Sequence, residues 1–235
     1  MQEYKVISFD LDDTLIDDTQ ARKYGIEQVA KKVNLPYTEE LGNYFVQFDD
    51  AFWRRNYDRN VPPFIKEDGA TYLRSIRFIE FFKNLSISYE ESIQIYYFYR
   101  ACLEDCVFSL DNAYETIKKL YNTGYSIAIA TNGVKAVISK KLEIIHILNF
   151  ISTIVCSEEI HYDKPHPGFF NHLLEKCQCS KEEILHVGNS LFSDVQGGMN
   201  NDIDTVWFNP YHKPLSNEYS PTYEIDNLLA LTKIL

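Results

Sequence analysis

The sequence predicts an α/β protein built on a doubly wound parallel sheet, with an all-helical domain inserted after the first strand. Three observations predict it. The chain opens on a short apolar run, Val6-Ile7-Ser8-Phe9, which ends in the carboxylates Asp10, Asp12 and Asp13. A β-branched run this short reads as a buried strand. From Asn112 onward, short apolar runs alternate with helical patterns, the signature of βαβ units with right-handed crossovers. Between these two regions, up to about Leu103, nothing resembles a strand.

After the first strand, Asp17 to about Val33 carries Ile26, Val29, Ala30 and Val33 at helical spacing. Glu40–Tyr57, Gly69–Phe82 and Tyr89–Glu104 read as amphipathic helices, with breaks at Asn60-Val61-Pro62-Pro63 and Asn84–Ser88. The region is rich in aromatics: Phe45, Phe48, Phe52, Trp53, Tyr57, Phe64, Tyr72, Phe78, Phe81, Phe82, Tyr96, Tyr97, Phe98 and Tyr99. Aromatics at helical spacing pack inward as bundle core, and the surplus leaves a few to face a substrate and stack on a planar ring.

Beyond Asn112, Ala113–Asn122 reads as a helix stopped by Gly124, a residue suited to the left-handed turn after a helix. A strand, Tyr125–Ala130, runs into Thr131-Asn132-Gly133, and a helix follows over about Val134–Leu142. A strand near Thr153–Cys156 leads to the loop Lys164-Pro165-His166-Pro167 and the helix Phe169–Cys177. The strand Ile184–Val187 enters Gly188-Asn189-Ser190-Leu191-Phe192-Ser193-Asp194. Asp204–Phe208 is the last predicted strand, followed by a Pro-containing tail and a short terminal helix. The domain division that follows is a Rossmann-like α/β core over 1–16 and 108–235 and a helical domain over 17–107.

Composition narrows the function. With 45% hydrophobic and 24% charged residues the chain has the make-up of a soluble globular protein. A formal charge of -11 argues against a binder of nucleic-acid polymers, which needs a basic surface. It admits a small anionic substrate wherever a lysine, a metal or a helix terminus supplies local positive charge. No stretch approaches the roughly 20 apolar residues of a membrane span, and Met1-Gln2-Glu3-Tyr4-Lys5 lacks the basic start of a signal peptide. The five cysteines, Cys102, Cys106, Cys156, Cys177 and Cys179, form an odd set without a CxxC pair. They read as incidental thiols in a reducing compartment, so the expected location is the cytoplasm, without membrane contact.

Carboxylates crowded at a strand end repel one another and are costly to desolvate. A divalent cation on hard oxygen ligands would compensate them, and in a parallel α/β sheet ligands bind just beyond the carboxyl ends of the strands. The plainer alternative is a helix N-cap cluster, because Asp17, Asp18 and Thr19 follow at a helix start. Four polar clusters follow four different strands, however: Asp10/Asp12, Thr131/Asn132, Lys164 and Asn189/Asp194. If those strands are neighbours, the clusters converge on one crevice. Their chemistry suits phosphoryl transfer, with a carboxylate nucleophile, a second acid/base carboxylate, a hydroxyl and amides for phosphate oxygens, and a lysine for charge.

In this combination the chain resembles the haloacid dehalogenase superfamily, in its phosphatase branch with a helical cap after the first motif. Asp10-x-Asp12-x-Thr14 matches the first motif, Thr131 the second, Lys164 the third and Gly188-Asn189-Ser190-x-x-x-Asp194 the fourth. Agreement of four motifs in order, over nearly the whole chain, makes the resemblance specific. Asp12-Asp13-Thr14, Thr131-Asn132-Gly133 and Ser157-Glu158-Glu159-Ile160 are similar to the 5′-nucleotidases of the group. The resemblance implies that Asp10 attacks phosphorus to form an aspartyl-phosphate, and that Asp12 protonates the leaving alkoxide and then deprotonates the hydrolytic water. It implies that Thr131 and the backbone N–H of Asn132 hold phosphate oxygens, and that Lys164 neutralises charge on both phosphate and Asp10. Mg²⁺ would be bound by the Asp10 carboxylate, the Asp12 carbonyl and the fourth motif, Asn189 and Asp194. Thr14 would cap the turn after the nucleophile, and His166 would be a loop residue facing solvent. The cap would select the leaving group, and the partner would be a small phosphorylated metabolite.

One position departs from the family pattern. Asn189 stands where the family usually has Asp directly after the glycine. Its amide still offers a neutral oxygen to a cation, but one negative charge is lost, so a weakened metal site is expected. The dehalogenase branch lacks the second acidic residue of the first motif, and Asp12 is present here. Nucleoside monophosphates are the leading substrate reading, with small sugar phosphates or phosphoglycolate as the alternative. A non-catalytic phosphate- or partner-binding protein is the reading of a different class, and Asn189 is what supports it.

Overall fold

The computed structural model describes residues 4–57, 67–104, 106–133 and 135–235. Two compact units divide them, one of Met1–Asp17 with Ser109–Leu235 and one of Asp18–Phe108.

In the first unit six strands are β1 (Val6–Phe9), β2 (Ser126–Thr131), β3 (Ile151–Cys156), β4 (Ile184–Gly188), β5 (Asp204–Phe208) and β6 (Tyr223–Ile225). They form one sheet in the order β3-β2-β1-β4-β5-β6, with every pairing parallel. All four residues of β1 are buried, as expected of a central strand whose two faces are both covered. From β1 the chain winds outward to β3, then returns to the other side of β1 for β4, so the strand order reverses at β1. A reversal of this kind opens a crevice beyond the strands' carboxyl ends. Register makes the strands end in step, with Phe9 level with Ile129 of β2 and Val187 of β4. Asp10, Thr131 and Asn189 therefore emerge at the same end of the sheet.

The strands and helices expected from the sequence are present with ends moved by a residue or two. Among the elements outside that expectation is β6, which pairs with β5 inside the segment that reads as an irregular tail. At three residues, just after Pro221, it is too short to show periodicity, and pairing with its neighbour alone makes it a strand. Gly124 ends the helix α5 (Ala113–Asn122) at φ +99°, a conformation that favours glycine. The break Asn60–Pro63, Phe64 and Val134 lie outside the described residues.

In the second unit the helices are α1 (Asp18–Lys32), α2 (Glu39–Tyr57), α3 (Glu67–Phe81) and α4 (Tyr89–Glu104). Their apolar faces meet in a core of Ile26, Val29, Phe45, Phe78, Phe82, Ile95, Tyr96 and Tyr99. Most of these are the aromatics expected to turn inward. Tyr72 and Tyr97 are exposed instead, which tyrosine tolerates because its hydroxyl keeps its water. The core also holds an ion pair. Arg77 is 6% exposed, and its guanidinium lies 2.7 Å from Asp49 and within 5.6 Å of the ring centres of Trp53, Phe78 and Tyr99. A charge this deep persists because a counter-ion and ring faces replace its water. Among the described residues no helix is long and apolar enough to cross a membrane.

Candidate active site

Asp10 continues β1 by one residue, its N–H donating to the Val187 carbonyl at 2.8 Å. It is 8% exposed. Lys164, in the loop between α7 (Ser157–Ile160) and α8 (Pro167–Cys177), is 2% exposed. Its ammonium donates to Asp10 Oδ1 at 2.8 Å and Asp194 Oδ1 at 2.5 Å. An isolated ammonium would not survive at this depth; two carboxylates make it tenable.

The loop that carries Lys164 is held by Asn132. The Asn132 side chain accepts the Lys164 N–H at 2.7 Å and donates to the Lys164 carbonyl at 3.0 Å. The resemblance assigns Asn132 a role through its backbone; its amide also anchors the lysine, a role that spacing along the chain does not reveal. Glu158, from the run singled out in the sequence, accepts the Lys135 N–H at 3.0 Å at the start of α6 (Lys135–Ile144). It thereby serves that helix as a cap supplied from another element.

After β4 the chain makes one wide turn over Leu191–Val195, with the Val195 N–H reaching back to the Ser190 carbonyl at 3.2 Å. Turns of this width recur at functional sites. This one lays the Asp194 carboxyl against Gly188, where any Cβ would collide with it. Asp194 Oδ2 accepts the Ser190 N–H at 3.0 Å, and Oδ1 lies 3.2 Å from His186 Nε2. His186 is fully buried, and its Nδ1 lies 2.9 Å from the Ser8 hydroxyl. Burial holds the imidazole below its ordinary pKa, and Lys164 acts in the same direction. The neutral ring that satisfies both neighbours carries its proton on Nε2 and accepts from Ser8.

The two buried carboxylates are driven apart. Burial pushes Asp10 up to about 7, against the pull of Lys164, and the charges of Asp194 and Asp12 push the same way as burial. For Asp194 burial also opposes ionisation, but Lys164 and His186 outweigh it and hold the group well below the usual carboxylate range. Lys164 is raised: burial disfavours its charge, and the two carboxylates more than offset this. Asp194 is thus the standing counter-ion and Asp10 the group whose charge is finely balanced.

Thr14 does more than cap the turn after Asp10, the role the resemblance implies. Its hydroxyl joins two strand ends: it accepts the Asn189 N–H at 3.1 Å and lies 3.4 Å from Asp10 Oδ2 and 3.5 Å from Asn189 Oδ1. One hydroxyl proton cannot serve both oxygens, so the carboxylate oxygen and the amide oxygen that share it are not both satisfied by it. Hard oxygens with spare lone pairs suit a hard cation, and a cation that keeps several waters needs few protein ligands. No group of three or more His, Cys, Asp or Glu side chains poised to hold a metal occurs among the described residues.

Lys164 is in direct contact with both Asp10 and Asp194, with Asn132, Thr14 and Asn189 tied to this group. Asp12 is not bonded to that group; its Oδ1 takes the Lys141 ammonium at 2.8 Å. Thr131 is buried and its hydroxyl accepts the Gly133 N–H at 3.1 Å. His166 is exposed as expected, yet its Nδ1 caps α8 by accepting the Gly168 N–H at 3.0 Å. Sequence reasoning misses His186, Ser8 and Lys141. A histidine in an otherwise apolar strand is a signal for the first; nothing along the chain separates Lys141 from its neighbour Lys140.

The chain is similar to several known proteins. The pyrimidine 5′-nucleotidase PynA of Streptococcus pneumoniae is 29% identical over 94% of this chain and 91% of its own. A glyceraldehyde 3-phosphate phosphatase of Pyrococcus furiosus is 29% identical over 100% of this chain and 94% of its own. The crystal structure of the HAD-hydrolase YfnB of Bacillus subtilis bound to magnesium has a TM-score of 0.87 at 29% identity, covering 99% of each chain. The sequence profile of the haloacid dehalogenase-like hydrolases matches residues 7–208. That match runs from the second residue of β1 to the last of β5 and takes in every polar cluster described above, and the chain belongs to the haloacid dehalogenase-like hydrolase family.

Proposed function

We propose that the protein is a Mg²⁺-dependent phosphomonoester hydrolase that works through an aspartyl-phosphate on Asp10, with nucleoside monophosphates as its substrates. The observation that carries this reading is Asp10 itself: one oxygen is paired with Lys164 and the other has a single long hydrogen bond, 3.4 Å from Thr14. A buried carboxylate held so loosely on one side is suited to attack.

Asp10 forms the new bond to phosphorus while Asp12 gives its proton to the leaving oxygen. Asp12 then takes a proton from the water that cleaves the acyl phosphate and frees Asp10. The Thr131 hydroxyl already accepts from Gly133, so its own proton is left to donate to a phosphate oxygen, beside the backbone N–H of Asn132. Lys164 neutralises charge on the phosphate and on Asp10, held from behind by Asp194. Mg²⁺ would be held by the Asp10 carboxylate, the Asp12 carbonyl, the Asn189 amide oxygen and Asp194, and would supply charge neutralisation at the transferring phosphoryl group. Asp194 Oδ1 already faces Lys164 and His186, so Asp194 cannot simply replace the charge that Asn189 lacks. The helical unit, rich in aromatic rings, takes the role of the specificity cap. The pyrimidine nucleotidase among the relatives favours a nucleobase as the leaving side. The sugar-phosphate phosphatase of equal identity favours small sugar phosphates as the second reading.

The test is phosphate release from nucleoside monophosphates, sugar phosphates and phosphoglycolate, with and without Mg²⁺. Mg²⁺-dependent release, fastest from pyrimidine nucleotides, is expected. No release from any ester by folded protein in ample Mg²⁺ overturns the reading in favour of a binding role. Asn189→Asp is expected to tighten Mg²⁺ about tenfold by restoring a ligand charge, read as a larger Mg²⁺-induced rise in melting temperature. An unchanged Mg²⁺ titration would show that position 189 lies outside the metal shell.

A further inference from the structure

The geometry points to Lys141 as a positioning residue that sets which oxygen of Asp12 exchanges the proton. This deepens the phosphatase reading and rests on it. Asp12 lies in a tight reversal after β1, in which the Leu15 N–H bonds the Leu11 carbonyl at 2.9 Å and the Asp13 N–H bonds the Ile16 carbonyl at 2.8 Å. Asp13 next to it has φ 57°. The backbone at Asp12 is therefore fixed by hydrogen bonds. Its side chain is not fixed by the backbone: it is 35% exposed and free to turn between staggered rotamers.

Lys141 removes that freedom. It lies on α6 three residues after Ile138 and one before Leu142, the buried residues of that helix, and its side chain is only 12% exposed. From this position its ammonium donates to Asp12 Oδ1 at 2.8 Å. Asp12 Oδ2 has no hydrogen-bond partner among the described residues. A carboxylate with Oδ1 engaged by an ammonium has one oxygen left for proton transfer, and Lys141 holds that oxygen in one place. In the first step Asp10 forms its bond to phosphorus as the ester P–O bond breaks. The electron pair stays on the leaving oxygen, which takes the proton from Asp12 Oδ2. Proton transfer needs heavy atoms within about 2.6–3.2 Å, so a carboxyl that wanders over several rotamers is a poor donor.

Leaving-group chemistry separates this role from a structural one. An alkoxide is too basic to leave unprotonated at neutral pH, whereas p-nitrophenolate leaves without a proton. The experiment compares kcat/KM for a nucleoside monophosphate and for p-nitrophenyl phosphate, in wild type and Lys141→Gln, with Mg²⁺ and with melting temperatures recorded. This parameter covers steps only as far as transfer to Asp10, so the later hydrolysis does not mask the difference. For Lys141→Gln the alkyl ester is expected to fall about a hundredfold and the aryl ester only a few-fold. Equal loss on both esters, or no loss on either, overturns the assignment. If Lys141→Gln does not fold, Lys141→Arg, which keeps the charge and moves the donors, is compared on the same two esters, and the same outcomes support or overturn the assignment. Wild type that hydrolyses neither ester would overturn the phosphatase reading, and the role of Lys141 with it.

Discussion

Asp10→Asn is expected to abolish turnover and at the same time to raise the melting temperature of the metal-free protein at pH 8. Loss of turnover follows if Asp10 is the nucleophile, because an amide oxygen does not attack phosphorus to give a hydrolysable acyl phosphate. The gain in stability follows from its surroundings. Burial, with Asp194 and Asp12 close by, lifts the carboxyl from its ordinary 3.8 to about 7 even though Lys164 opposes the rise. A folded-state value above the unfolded one means that the stability contributed by Asp10 is fully present below about pH 4 and is lost as pH rises through about 7. At pH 8 the folded protein carries an ionised, poorly solvated carboxylate, which asparagine removes. Roughly 1–3 kcal/mol should be regained, or about 3–10 °C for a chain of this size. The gain should vanish by pH 4, where the aspartate is already protonated. Thermal melts of both proteins at several pH values, in chelator, check this. A variant less stable than wild type at pH 8 would show that the pair with Lys164 outweighs the desolvation of Asp10.

Lys164→Met should do the opposite. The ammonium bridges Asp10 and Asp194 at 2.8 and 2.5 Å, with the lysine side chain 1% exposed. Removing it leaves two buried carboxylates without their cation, and breaking a buried pair in this way costs about 3–5 kcal/mol. The loss should be largest at pH 8 and shrink as pH falls and Asp10 takes up a proton. If Lys164 also faces the phosphate, as proposed, phosphate release should fall by at least about a thousandfold. The double variant Asp10→Asn/Lys164→Met should recover part of the lost stability, because the change at Asp10 removes one of the stranded charges. Denaturant unfolding of the four proteins gives the coupling directly. Equal stability of Lys164→Met and wild type at pH 8 would mean that the buried carboxylates are compensated by something other than Lys164.

Both predictions depend on residues that the sequence marks plainly. Asp10 ends the first apolar run directly, and that abrupt change to carboxylate needs no tertiary information to be noticed; Lys164 and Asp194 lie a loop and a turn beyond theirs, in the same order as the sheet's βα units. The helical unit is legible for a similar reason: within one segment Ile26, Val29, Ala30 and Val33 recur at helical spacing, and Ile26, Phe45, Phe78 and Tyr99, one from each of α1–α4, are buried together. The strand β6 is not legible, because three residues carry no period and gain their conformation from β5 alone.

Local pattern by itself determined the α/β class, the helical insert and the list of polar groups at the strand ends, since periodicity of apolar residues is a property of neighbours along the chain. Only the tertiary structure decided how those groups divide their work. That His186 backs Asp194, that the Asn132 side chain clamps the lysine loop, that Thr14 links Asp10 to Asn189 and that Lys141 rather than Lys140 reaches Asp12 are all contacts across strands or helices. The same holds for Asp10 being raised while Asp194 is lowered. Two aspartates have the same intrinsic acidity, and burial together with the charges that folding brings beside them makes the difference.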